Sequence, residues 1–170
     1  MSGFLGQETK YFYNLTPEVI DQSLISIGIR PIGRTIPLNS LENRVYSVEV
    51  RAADLSLTEY QAGFDRAFAA DQVVVKFYRP GRWSSEAIAE EHQSLRHLSS
   101  MEIPVVTPIE FQEKTFFKEE STGLFFAVFP KVIGRLKDEL NKQETEQLAR
   151  LIARVHQGLS YLEPYSIVEV

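Results

Sequence analysis

Hydrophobic and polar residues alternate with a period of two around residue 75, which predicts a β-strand. The run Val73–Val75 is β-branched and favours a buried strand. Alternation gives this strand two faces, one with Val73, Val75 and Phe77 and the other with Val74, Lys76 and Tyr78. Lys76 is therefore a cation within a strand that is otherwise expected to be buried.

The segment that follows changes to a helical period. Pro80–Gly81 ends the strand, and Ser84 or Ser85 can cap the helix. One face of this helix is apolar and consists of Ile88, Leu95 and Leu98. Glu91 falls on the same face, whereas Glu90 lies about 100° around the helix on a more polar side.

Lys76 and Glu91 lie on consecutive elements, and we expect them to form an ion pair. The physical reason is that a buried charge without a partner costs several kcal/mol. The pattern alone leaves two interpretations open. The first is structural: an ion pair, or a lysine whose ammonium merely snorkels to the edge of the sheet. The second is a glutamate that orients the lysine toward a ligand.

The rest of the chain predicts further helices and strands on both sides of this unit. Helices are expected at 17–27 and 142–157, and strands at 35–38, 44–50, 109–117 and 124–129. Residues 39–43 form a polar turn, and residues 51–71 fit a short amphipathic helix inserted between two strands. Residues 129–134 are expected to break the sheet and form a connector, and Gly158 to end the last helix.

The three histidines do not have the spacing of a metal site. His92 and His97 are five residues apart on one helix, so they do not stack as an i, i+4 pair would. We expect His92, His97 and His156 to lie at the surface or at helix ends.

Composition excludes several classes of protein. In 170 residues, 44% hydrophobic content is enough for a real core, and a net charge of −5 argues against non-specific nucleic-acid binding. Cysteine is absent, which excludes disulfides and thiolate metal sites. No apolar run approaches the roughly 18 residues of a membrane helix, and the first residues lack the features of a signal peptide. We therefore expect a cytoplasmic protein without a membrane partner.

Several segments of unusual composition resemble one known family. They are Tyr11–Pro17, Leu38–Tyr46, Val74–Pro80, Arg82–Trp83, Glu90–Gln93, Ile103–Val105 and Phe126–Pro130. In these segments the chain resembles the bacterial stress response kinase A family (the YihE/RdoA type), within the aminoglycoside phosphotransferase and choline kinase group. The resemblance implies an α+β fold: a protein-kinase-like amino-terminal lobe with an antiparallel sheet and a regulatory-type helix. A hinge and the first helix of a carboxy-terminal lobe would follow. The implied domains are 1–130, with 51–71 an insertion, and 131–170.

The resemblance also implies a nucleotide site. Lys76 would contact the ATP phosphates with Glu91 as its helix partner, and the turn 39–43 would stand in place of a glycine-rich loop. Residues 129–132 would be the hinge whose backbone pairs with adenine. The implied site residues are Lys76, Glu91, Asn39, Ser40, Asn43, Phe129, Pro130, Lys131 and Val132.

The chain lacks the catalytic loop of that family, which has the form HGDxHxxN. No His-Gly-Asp follows His156. Catalytic and metal-binding residues are therefore expected to be absent from this chain, with Mg²⁺ ligands in the missing carboxy-terminal lobe. We expect the 170-residue chain by itself to be inactive. Its last helix would expose an apolar face at 148–155 that could support self-association.

Three functions follow from the resemblance. The first is the ATP-binding lobe of a serine/threonine protein kinase involved in the stress response, with a protein acceptor. The second is part of a kinase that phosphorylates a small molecule such as an aminoglycoside or choline. The third is a non-catalytic, truncated product that binds a nucleotide or a partner.

Overall fold

The computed structural model describes residues 12, 14–55, 68–134 and 137–160. Its helices are α1 (Pro17–Ser26), α2 (Ser85–Ser100) and α3 (Lys142–Leu159), together with a short 3₁₀ helix at Ala52–Asp54. Its strands are β1 (Pro31–Leu38), β2 (Arg44–Val50), β3 (Phe68–Phe77), β4 (Phe117–Lys118) and β5 (Phe125–Val132).

The strands form one antiparallel sheet in the order β1-β2-β3-β5-β4. β3 is the central strand, and Lys76 lies opposite Val45 on β2 and Ala127 on β5. Lys76 therefore has a partner strand on each side, and its backbone cannot shift without disturbing the sheet. The α+β architecture expected from the sequence is confirmed.

The two faces of β3 have the predicted orientation. Val73, Val75 and Phe77 are buried in the main core against Leu24 of α1. The opposite face turns toward α2, where Ile88 is fully buried. Burial of one apolar face by α1 thus leaves the other face of the sheet, including Lys76, to line a site under α2.

The start of α2 is capped as the sequence predicts. The Ser84 hydroxyl accepts a hydrogen bond from the Ala87 N–H at 3.2 Å, and Ser85 is the first helical residue. This cap satisfies one of the N–H groups that a helix leaves unpaired in its first turn.

Ser84→Ala is expected to lower the free energy of unfolding by about 1 kcal/mol, because the capping acceptor is lost. Urea unfolding followed by circular dichroism measures the change. Ser84→Asp is the matched control, since an aspartate also caps helices and should leave stability nearly unchanged. Equal losses in the two variants would contradict the capping role.

Two strands extend further than expected, and both contain proline. β1 begins at Pro31 rather than Thr35, and β5 continues through Pro130 to Val132 instead of breaking the sheet at Phe129. β1 is an edge strand, and β4 pairs only with Phe125 and Phe126, so Pro130 lies beyond the part of β5 that β4 covers. Proline is tolerated at such edge positions. The hydrophobic pattern along one strand does not show which of its positions lie at an edge of the sheet.

The strand expected at 109–117 is wrong for most of its length. Only Phe117–Lys118 is a strand, and Phe111 and Lys114 instead bridge each other across a tight turn. Gln112 and Glu113 both have positive φ, at 51° and 62°. Neither residue is a common turn former, so the sequence contains no signal for this turn and predicts a continuous strand instead.

The predicted helical insertion at 51–71 lies only partly within the described residues. Residues 68–71 belong to β3, so the helix does not reach Phe68 as its periodicity suggested. Residues 56–67 lie outside the described part of the chain. The proposed domain boundary at residue 130 stays a prediction, although β5 continues past it.

Helix α3 packs through its last turn. Its N-cap is Asn141, whose side chain forms a capping box with Glu144, and Gly158 lies inside the helix rather than ending it. A Cβ at Gly158 would approach Leu98 Cδ2 to 2.9 Å, so the absence of a side chain lets α3 approach the end of α2. Leu148 and Ile152 remain 43% and 46% exposed. None of the helices in the described residues has the length and apolar character to cross a membrane.

Candidate nucleotide site

A cleft of about 440 Å³ lies between the exposed face of the sheet and α2. Its lining residues are Val45, Val74, Lys76, Glu91, Leu95, Val106, Phe129, Pro130, Lys131 and Val132. Its volume falls in the range of small-molecule sites. The sheet supplies most of the floor, and Glu91 and Leu95 of α2 form one side.

The centre of this cleft is the ion pair expected from the sequence. Lys76 Nζ donates to Glu91 Oε1 at 2.6 Å and to Oε2 at 2.9 Å. The two side chains are only 17% and 28% exposed. Pairing of Lys76 with Glu91 is thereby confirmed. The glutamate holds the ammonium at the cleft while leaving a proton of the lysine for a ligand.

Two aromatic rings also contact the ammonium. Lys76 Nζ lies 4.4 Å from the centroid of the Tyr78 ring and 5.4 Å from that of Trp83. An ammonium over an aromatic face gains roughly 0.5–2 kcal/mol, more when it is shielded from water. Lys76 is therefore held from two directions, by a carboxylate on α2 and by two rings of the segment between β3 and α2.

His92 is not at the surface, and that expectation is wrong. It is 0% exposed, with Nε2 2.8 Å from the Tyr78 hydroxyl and Nδ1 2.7 Å from the Thr115 hydroxyl. His92 lies four residues after Ile88, so the helical period already placed it beside the apolar face. The polar character of histidine masked that signal.

Burial sets the protonation of this group. It lowers the pKa of His92 to about 4, with Lys76 and Arg96 acting in the same direction and Glu91 opposing them. Burial likewise raises the pKa of Tyr78 far above its ordinary value, with Glu91 adding to the effect. At neutral pH both groups are therefore uncharged. A neutral imidazole between two hydroxyls can satisfy a donor and an acceptor at once.

The other two histidines lie near the surface, as expected. His97 Nε2 is 3.2 Å from the carbonyl of Gly158 and links α2 to α3, and His156 is exposed on the last turn of α3.

The structure brings together six of the nine residues implied for the site: Lys76, Glu91, Phe129, Pro130, Lys131 and Val132. The described lining does not include Asn39, Ser40 or Asn43. Asn43 is buried, and its Oδ1 accepts a hydrogen bond from the Arg79 N–H at 3.1 Å. Its side chain therefore ties the turn 39–43 to the loop before α2.

The same turn is also tied by charge. Glu42 pairs with Arg82 at 3.2 Å, and the preceding residue, Leu41, is fully exposed. The Arg82 and Glu42 side chains are half exposed, so the pair contributes little stability. The pair joins the turn to the loop that carries Trp83.

The chemistry of the cleft suits an anion with a flat apolar part. Lys76 and Lys131 are the cations of the described lining, and the remaining wall is mostly apolar, with Val45, Val74 and Phe129. The carboxylate of that lining, Glu91, is already bonded to Lys76. Among the described residues no group of three or more histidine, cysteine or acidic side chains could hold a metal ion.

The chain belongs to the phosphotransferase enzyme family, whose model matches residues 38–165. It is 38% identical over 146 residues to stress response kinase A of Escherichia coli (strain K12). Stress response kinase A of Salmonella choleraesuis (strain SC-B67) and serine/threonine protein kinase RdoA of Salmonella typhimurium (strain LT2) show the same identity over the same length.

Each alignment covers 86% of this chain and 39% of the relative. The chain therefore spans about two fifths of the length of the curated relatives it matches. The resemblance to the stress response kinase A family that the sequence motifs indicated is confirmed.

Proposed function

We propose that this chain is the ATP-binding lobe of a phosphotransferase of the stress response kinase A type. The observation that carries the proposal is the bidentate Lys76–Glu91 pair at the centre of the cleft. A lysine held by a helix glutamate in this way is the arrangement that binds nucleotide phosphates in kinases. Its position in a cleft with apolar walls fits a ligand that has both phosphates and a base.

The remaining lining residues have separate roles in this proposal. Residues 129–132 offer backbone groups at the end of β5, although Pro130 has no N–H to donate. Val45, Val74 and Phe129 would contact the faces of the base. Backbone amides of the turn 39–43, with Asn39 and Ser40, would approach the phosphates after a shift of the turn, whereas Asn43 keeps its bond to Arg79.

Bound ATP would supply the phosphoryl group, and its Mg²⁺ would be held by residues other than those described here. Lys76 would donate to phosphate oxygens, and Glu91 would keep the ammonium oriented and charged. The acceptor is proposed to be a protein, because one relative is named a serine/threonine protein kinase. A small-molecule acceptor of the aminoglycoside or choline type is the alternative. A cytoplasmic location suits an enzyme that consumes ATP.

Lys76→Met is expected to weaken ATP binding by about 10- to 100-fold, since it removes a charge-assisted hydrogen bond while keeping most of the side-chain volume. Isothermal titration of the purified 170-residue chain with ATP, with and without Mg²⁺, measures the dissociation constant. Lys142→Met is the matched control, because Lys142 is exposed at the start of α3. Failure of the unaltered chain to bind ATP, or equal affinity of the two variants, would refute the proposal.

The 170-residue chain alone is expected to transfer no phosphate. It contains no HGDxHxxN loop, whose aspartate would take the proton from the hydroxyl group of the phosphoryl acceptor. Incubation with labelled ATP, Mg²⁺ and protein acceptors tests this expectation. Label transfer above that of a Lys76→Ala variant would contradict it.

We also propose that α3 mediates self-association, because Leu148 and Ile152 on this helix remain exposed. Light scattering after size-exclusion chromatography tests this point. A Leu148→Lys variant should stay monomeric at concentrations at which the unaltered chain associates, and identical masses would refute the proposal.

A further inference from the structure

Behind the ion pair lies a buried chain of three polar groups that the proposed function does not use. The Tyr78 hydroxyl, the His92 ring and the Thr115 hydroxyl are bonded in sequence, at 2.8 Å and 2.7 Å. They connect the end of β3, the middle of α2 and the segment before β4. All three residues are buried, so water does not compete for these hydrogen bonds.

These three hydrogen-bonded groups are linked to both partners of the ion pair. On the strand side, the Tyr78 ring lies under the Lys76 ammonium at 4.4 Å. On the helix side, His92 follows Glu91 directly in α2. A rotation of α2 that withdrew Glu91 from Lys76 would therefore also pull the imidazole away from Tyr78 and Thr115. Hydrogen bonds fix direction, whereas apolar side chains of equal volume would fill the same space without setting an angle.

The same ring supports the wall of the cleft. His92 packs edge-on against Phe129, with centroids 6.0 Å apart and planes at 85°, and against Phe116 at 5.9 Å. The charged groups near it are Lys76 on β3 and Glu91 and Arg96 on α2. The residues that face it from the other packed segments, Thr115, Phe116 and Phe129, carry no charge.

We propose that His92 and Tyr78 are positioning residues for Lys76, which act by locking the rotation of α2 and the plane of the Tyr78 ring. Neither residue lies in the described lining of the cleft, so each acts through Lys76 and Glu91 rather than on the ligand. The inference rests on the proposed function for its effect on nucleotide binding. Its structural part concerns the ion pair in the ligand-free chain and is tested separately.

Tyr78→Phe is the decisive variant, because it removes the hydroxyl that bonds His92 and interacts with Glu91, and it keeps the ring under Lys76. The Lys76 ammonium signal is followed by ¹H–¹⁵N NMR in the ligand-free chain, assigned by its loss in Lys76→Met. We expect this signal to shift and broaden in Tyr78→Phe and ATP affinity to fall by roughly five- to tenfold, as for the loss of one buried hydrogen bond. Tyr46→Phe is the matched control, because it removes a tyrosine hydroxyl on β2 that takes no part in the hydrogen bonds between Tyr78, His92 and Thr115. It should change neither the Lys76 signal nor the ATP affinity.

Substitutions of His92 give a second test. Gln can still bond Tyr78 or Thr115, so His92→Gln should retain part of the signal and part of the affinity, whereas His92→Leu should lose both. If His92→Leu fails to fold, Tyr78→Phe still decides. A Tyr78→Phe chain with a lower melting temperature but an unmoved Lys76 signal and unchanged ATP affinity would refute the proposal. If the unaltered chain binds no ATP, the proposed function fails, and the Lys76 signal alone still tests the positioning.

Discussion

Phe126→Ala is expected to lower the free energy of unfolding by about 3–5 kcal/mol, because it would open a large cavity in the core. Phe126 is fully buried in the middle of the main core. Its ring lies 5.6 Å from Phe77, the residue opposite it on β3, and 5.7 Å from Phe117 on β4. The substitution therefore removes contacts between three strands at once.

Urea unfolding followed by circular dichroism at pH 7.5 measures this loss. Phe126→Leu keeps most of the volume and should cost about 1 kcal/mol. Ile36→Ala on the edge strand β1 removes apolar atoms from a side chain that is 49% exposed, and should change stability by about 0.5 kcal/mol or less. If Phe126→Ala lowered the free energy of unfolding no more than Ile36→Ala does, the Phe126 ring would not be packed in the core.

The stability of the chain is expected to fall by about 2 kcal/mol between pH 7.5 and pH 5 through His92 alone. The folded chain holds the pKa of His92 at about 4, below the 6.5 of an unperturbed histidine. Above pH 6.5 both folded and unfolded states carry a neutral ring, and the full stability is present. As the pH falls below 6.5, the His92 ring becomes protonated in the unfolded state, whereas in the folded state it stays neutral down to about pH 4.

Urea unfolding at a series of pH values between 7.5 and 5 tests this dependence. Carboxylates also titrate at the acid end, so the quantity compared is the difference between the unaltered chain and His92→Gln, which cannot be protonated. The difference in stability between the two chains should narrow as the pH falls. Parallel curves would mean that His92 is protonated with an ordinary pKa in the folded chain.

The Lys76–Glu91 pair was predictable because it depends on the side-chain periods of one strand and one helix, and neighbouring residues specify both periods. Two-residue alternation placed Lys76 on the face opposite the core, and the helical period placed Glu91 beside Ile88. The cap at Ser84 depends on neighbours within three residues and was predictable for the same reason. Family motifs added the nucleotide interpretation, and the phosphotransferase family is now shown.

Other features of the site were not predictable from a local pattern. His92 bonds Thr115, which is 23 residues away, and the burial of its ring depends on that segment folding back over α2. The turn at Gln112 and Glu113 carries no glycine or proline to mark it. Asn43 was expected at the phosphates as part of the turn, but its amide oxygen accepts a bond from Arg79, 36 residues later.

The order of the main elements, the two faces of β3 and the pairing of Lys76 with Glu91 could all be predicted from the amino-acid sequence. These follow from side-chain direction along one strand or one helix, which neighbouring residues specify. Three features emerged only from the packing of the folded chain: the extension of β5 through Pro130, the close approach of α3 at Gly158 and the buried hydrogen bonds of His92. Each of these depends on which distant segment lies alongside, and therefore on the packing of the whole sheet and its helices.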